Sequence, residues 1–119
     1  MTIERTNLGG VAHLRVIACD AVEFANAAEL KRAAIEALDD RRDVVVDLGG
    51  VEFIDSAGVG ALVGVFRAAR ARGRRAIFAA LSPGVLSVLA IIKLDEILDL
   101  SPDAEAAVRS CRSRPVRAV

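Results

Sequence analysis

A chain of 119 residues suits one domain with one core; 54% hydrophobic residues argue against disorder, while 3% aromatics, with no Trp or Tyr, leave that core to Ala, Val, Leu and Ile. Lys plus Arg and Asp plus Glu both number 16, and zero formal charge does not support a dedicated nucleic-acid binder, whose affinity rests on neutralising phosphates. Charged residues interrupt every apolar run before the roughly 18 residues needed to span a bilayer, and Met1-Thr2-Ile3-Glu4-Arg5 lacks a signal-peptide core, so the expectation is a cytoplasmic protein without membrane insertion.

In chain order, residues 3–8 and 11–18 read as two strands joined by a tight turn at Gly9-Gly10. Residues 20–25 read as a loop. Asn26 is placed to cap a helix over 27–41, in which Leu30, Ala34, Ile35 and Leu38 recur at three- and four-residue steps. The three valines of residues 43–48 predict a strand buried on both faces, as in a parallel sheet covered by helices. After VEFIDSAG comes a helix ending at the C-cap candidate Gly73, then a strand over 75–81. Ser82 as N-cap and Pro83 at the first helical position open a third helix, with Val85, Leu86, Leu89 and Ile92 turned towards the sheet. A short strand over 96–100 and a helix over 103–111 complete the order β-β-α-β-α-β-α-β-α. The expected fold is a single α/β domain over 1–112, a mixed and mainly parallel sheet covered by helices, with 113–119 a frayed tail.

Residues that could carry chemistry are few. Cys19 and Cys111 are far apart and read as reduced, small hydrophobic residues; with the lone His13 they make no convincing zinc site. His13 has no partner suggested by sequence and reads as a strand side chain. Arg67, Arg70, Arg72, Arg74 and Arg75 read as a solvated helix end near a favourable dipole. The glycines at 58, 60 and 64 form neither GxGxxG nor a Walker loop, and no cofactor is expected.

The segment around Phe53-Ile54-Asp55-Ser56-Ala57-Gly58 resembles the STAS family, named for sulfate transporters and anti-sigma factor antagonists. The match consists of a strand ending in an acid, a loop reading F-x-D-S-x-G and an amphipathic helix; Ser82-Pro83-Gly84-Val85 resembles the family's second recognisable stretch. The resemblance spans roughly residues 10–110 and implies a non-enzymatic antagonist whose partner is an anti-sigma factor, itself a GHKL-type serine kinase. Unphosphorylated antagonist binds that kinase and frees the sigma factor; phosphorylation of Ser56 ends the binding. The implied partner-binding residues are Glu23, Ile54, Asp55, Ser56, Ala57, Gly58, Ser82 and Pro83. The loop before the first helix departs from the pattern. Asp20 stands at the family's Gly, giving up its backbone freedom, and Glu23 stands at its Asp, keeping the charge.

The residues make physical sense of that role. Ser56 precedes a helix, where backbone N–H groups lack partners, so its hydroxyl reads as an N-cap, with Asp55 competing for the same position. A phosphate there adds a charge of about −1.5 to −2 near the positive end of the helix dipole, beside a like-charged Asp55. Two alternatives stay open. One is a STAS scaffold or regulatory subunit of a stress-signalling complex or ABC lipid transporter. The other is a small enzyme or nucleotide binder using the loop as an anion site.

Overall fold

The computed structural model describes residues 1–113. Strand β1 (Thr2–Leu8) and β2 (Val11–Ile17) form an antiparallel hairpin with Leu8 opposite Val11. Two turn residues suffice because Gly9 and Gly10 both take positive φ, 58° and 84°, as a primed hairpin turn requires. Strand β3 (Ala21–Val22), helix α1 (Ala27–Asp39), β4 (Val44–Asp47), β5 (Phe53–Ile54), α2 (Ser56–Ala71), β6 (Ala76–Ala79) and α3 (Pro83–Ile91) follow. A 3-10 turn (Leu94–Glu96), β7 (Asp99–Ser101) and α4 (Ala104–Ser113) complete the described chain. The main sheet has the order β1-β2-β4-β6-β7, parallel everywhere except β1 against β2. The frayed tail expected from 113 lies outside the described residues apart from Ser113, which ends α4.

Alternation along the strands divides the core between two faces. Ala12, Leu14, Val44, Val46 and Phe78 point towards α1, α2 and α3, where they meet Leu30, Leu38, Leu62, Val65, Val85 and Leu89. Val11, Val45, Ile77 and Ala79 point the other way, and α4 covers them with Ala107. Val44, Val45 and Val46 are all fully buried, the burial on both faces that the valine run predicts.

The ends of elements differ instructively from expectation. Helix α2 stops in a Schellman arrangement: Gly73 at φ 65° follows the C-cap Arg72, while the N–H groups of Gly73 and Arg74 reach the Arg70 and Ala69 carbonyls. On α3, Val85 and Leu89 are buried as predicted, but Leu86 and Ile92 are 39% and 48% exposed. That helix is short and apolar on nearly every side, so spacing alone does not distinguish its inner face. Asn26 precedes α1 but makes no side-chain cap bond. Its amide faces backwards instead, Oδ1 accepting the Glu23 N–H at 2.8 Å and Nδ2 donating to the Ala21 carbonyl at 2.9 Å. Arg75 departs from the solvated cluster: only 12% exposed, it pairs with Asp99 and donates to the Ser110 carbonyl, tying α4 to β7 and β6.

Candidate functional site

Ser56 stands where β5 turns into α2, and that turn is clamped from two sides. Asp55 is the N-cap of α2: its backbone is extended, φ −101° and ψ −175°, and its Oδ1 accepts the Gly58 N–H at 2.8 Å. Ser56 is therefore the first helical residue and not the cap. A side chain one position earlier, on extended backbone, reaches the third helical amide; one already inside the helix does not. The competition between Asp55 and Ser56 goes to the acid.

The second carboxylate oxygen of Asp55 accepts the Phe24 N–H at 3.0 Å, so one side chain ties the β3–α1 loop to the start of α2. The Gly58 N–H above all draws the Asp55 carboxyl below the ordinary carboxylate range; partial desolvation opposes this, and the N–H groups of Phe24 and Ala57 reinforce it. With Asp55 occupied in this way, Ser56 is exposed and its hydroxyl has no hydrogen-bond partner among the described residues.

Beneath the serine lies a two-stranded parallel sheet that the loop expected over 20–25 had concealed. Ala21 pairs with Phe53 and Val22 with Ile54. The Asp20 carbonyl accepts N–H groups from Glu52 and Phe53 at 2.7 and 3.0 Å, and the Val22 carbonyl accepts that of Asp55 at 3.3 Å. Asp20 does this work at ordinary φ; the left-handed residue of the turn is Ala18, at φ 56°. The glycine freedom that Asp20 gives up is thus not needed at that position. Gly58 is buried against this sheet, where a Cβ would lie 2.3 Å from the Val22 carbonyl oxygen and 2.6 Å from Ile54 Cγ1.

The remaining predicted site residues divide between surface and support. Ile54 is 3% exposed and belongs to the core, so it positions the turn without presenting a side chain. Ala57 and Glu23 are half-buried; the Glu23 carbonyl accepts the Asn26 and Ala27 N–H groups. Ser82 caps α3 as predicted, its Oγ accepting the Val85 N–H at 3.2 Å, and Pro83 is exposed. The first turn of α3 abuts the approach to β5 so closely that a Cβ on Gly84 would lie 2.9 Å from the Glu52 carbonyl oxygen. The two recognisable sequence stretches therefore meet in space.

Three features escaped sequence reasoning. His13 does have a partner: Nε2 lies 2.9 Å from Asp47 Oδ2, both side chains about 15% exposed, beside a cleft of about 460 Å³ that also touches Arg15, Gly49 and Gly50. The acid is 34 residues away and comes into reach only through the β2–β4 register. Phe24 and Phe53, 86% and 55% exposed, flank the serine turn. Their signal was available, since aromatic residues are scarce in this chain. Finally, the free thiol of Cys111 is pushed up to about 11, mainly by burial and then by the charge of Asp43. Among the described residues no group of three or more His, Cys, Asp or Glu could hold a metal ion, and no helix is long and apolar enough to cross a membrane.

Comparison with solved structures finds the same fold in several proteins of low sequence identity. An anti-sigma-factor antagonist (STAS) domain protein from Planctomyces limnophilus superposes with a TM-score of 0.83 at 21% identity, covering 93% of this chain and 98% of that one. SpoIIAA, a Bacillus cell fate determinant solved in its phosphorylated form, gives 0.67 at 18% identity, covering 92% and 99%. A sulfate transporter family protein from Wolinella succinogenes gives 0.76 at 17% identity, covering 90% and 88%. The STAS domain model matches residues 6–107, nearly the whole described chain and all of the serine turn, and on that match the chain belongs to the STAS domain family.

Proposed function

We propose that this protein is an anti-sigma factor antagonist. In this reading its unphosphorylated form binds an anti-sigma factor that is a serine kinase, releasing a sigma factor in the bacterial cytoplasm, and phosphorylation of Ser56 ends that binding. The observation that carries the reading is the division of labour at the turn: Asp55 takes the cap, leaving Ser56 exposed with an unengaged hydroxyl. Phosphorylating such a hydroxyl breaks no internal hydrogen bond, so the folded domain tolerates the change.

The switch is electrostatic. A phosphate on Ser56 brings a charge of about −1.5 to −2 to the first turn of α2, where the helix dipole favours it. A partner fitted to a neutral serine must then desolvate that group, at a cost of several kcal/mol. The phosphoryl chemistry belongs to the kinase, and this chain supplies the acceptor. Likeness to anti-sigma factor antagonists, among them SpoIIAA, which is solved both unphosphorylated and phosphorylated, supports the reading.

The test is to incubate the protein with ATP and each GHKL-type serine kinase of the source genome, then map phosphate by mass spectrometry. One phosphate is expected on Ser56, and none on the Ser56→Ala variant. Phosphate on another residue, or no transfer, would contradict the proposal. The likeness to a sulfate transporter family protein favours a second reading, a STAS scaffold or regulatory subunit of a larger complex such as an ABC lipid transporter. Co-purification with a transporter ATPase, with Ser56 unmodified, would favour that alternative.

A further inference from the structure

Two of the chain's four phenylalanines are on the surface, and both flank Ser56. Phe78 is fully buried in the core, and Phe66 lies beneath the Arg70 guanidinium, 5.5 Å from it. Phe24 and Phe53 have no such cover: they are 86% and 55% exposed. Leaving a phenyl ring in water forgoes roughly 2 kcal/mol of burial, so a chain so sparing with aromatics gains nothing for its own fold by placing two there.

Their backbones are held in place. The Phe24 N–H is bonded to the capping carboxylate of Asp55, and the Phe53 N–H to the Asp20 carbonyl within the small β3–β5 sheet. Ile54 points into the core, so its strand neighbour Phe53 points outwards. Both rings therefore project from a preformed frame, and little backbone ordering remains to oppose binding. The segments that carry them hold charge of one sign: Asp20, Glu23, Glu52 and Asp55 lie in the two loops, residues 16–30 and 43–66 contain no Lys or Arg, and Lys31 of α1 meets α2 two turns further on, at Gly64.

We infer that Phe24 and Phe53 are the anchors of the surface on which Ser56 is recognised, and that its occupant is a protein offering an apolar pocket to each ring within a rim of Lys and Arg. This inference rests on the proposed antagonist role and names the chemistry of that same partner. The basic rim is compatible with a phosphate-sensitive switch. Rim charges stay solvated and chiefly speed encounter, whereas a phosphate between the anchors is desolvated on docking, and that larger cost decides the affinity.

The experiment is calorimetric titration of the GHKL-type serine kinases of the source genome with the full chain and its variants Phe24→Ala, Phe53→Ala and Leu8→Ala, the last an exposed apolar residue on β1. Each phenylalanine variant is expected to weaken binding by about 10- to 100-fold, and Leu8→Ala by less than about 2-fold. Raising NaCl from about 0.05 to about 0.5 M should slow association of the wild type. Circular dichroism melting confirms that the variants fold. Wild-type affinity in both folded phenylalanine variants overturns the inference and leaves the antagonist role standing. Failure of every such kinase to bind or phosphorylate the wild type overturns the antagonist role, and the inference with it. A concentration-dependent dimer abolished by Phe24→Ala would make the occupant a second copy and also overturn it.

Discussion

Gly58 and Gly60 lie two residues apart at the start of α2, yet alanine at the two positions should act with opposite sign. At Gly58 the new methyl would lie 2.3 Å from the Val22 carbonyl oxygen and 3.0 Å from its carbon, and these are backbone atoms that no rotamer change can move. Relief requires β3 and the start of α2 to separate by roughly an ångström. That movement disturbs the Asp55-to-Val22 bond and the cap on the Gly58 N–H. Overpacking with partial loss of two hydrogen bonds comes to about 3 kcal/mol. At Gly60 nothing lies within 4 Å of the added methyl, and alanine in a helix is better than glycine by about 0.8–1 kcal/mol. Unfolding entropy for a chain of 119 residues is about 0.25 kcal/mol per kelvin. The expected shifts are therefore about −12 °C for Gly58→Ala and about +3 °C for Gly60→Ala, read by scanning calorimetry. Shifts of the same sign would refute the packing argument for Gly58.

Further expectations concern the neighbouring groups. Because folding lowers the Asp55 pKa, the stabilisation it provides is fully present above the ordinary carboxylate range and is lost as pH falls through the depressed folded value. Asp55→Asn should accordingly flatten the acid limb of a stability-versus-pH curve below about pH 4, whereas an unchanged limb would remove Asp55 from the linkage. Arg75→Ala removes the guanidinium that bonds the Asp99 carboxylate and ties α4 to β7, and should cost about 2 kcal/mol in urea unfolding. Cys111, with its thiol pushed up to about 11, should react with iodoacetamide at pH 8 roughly 10- to 100-fold more slowly than an ordinary exposed thiol. Equal rates in the folded protein would contradict its burial.

The sequence made the sheet and three-helix face readable because strong local signals coincided there: the valine run of β4, the periodic face of α1, the Gly9-Gly10 turn and the Ser82-Pro83 start of α3. The F-x-D-S-x-G segment also placed Ser56 at a strand-to-helix turn. What escaped was tertiary. Two-residue strands such as β3 and β5 exist only because each supplies the other's hydrogen bonds, and neither has a period of its own. The same holds for His13 with Asp47 and for Arg75 with Asp99, pairs fixed by strand register across 34 and 24 residues. The cap changed owner for a local reason, since an acid and a serine stood side by side and only backbone geometry could choose between them. Gly58, a partner-binding residue by resemblance, is buried against Val22, a contact that only the pairing of β3 with β5 creates.

The central claim is that an exposed, uncapped Ser56 is an electrostatic switch, and one affinity series tests it most directly. Binding of the GHKL-type serine kinases of the source genome should be compared for wild type, Ser56→Ala, Ser56→Glu and wild type phosphorylated in vitro. Alanine should bind like wild type, because the hydroxyl has no internal partner to lose. Glutamate should bind about 10-fold or more weakly, and the phosphorylated protein more weakly still, as desolvation of the added charge requires. Equal affinity across all four forms would contradict the switch.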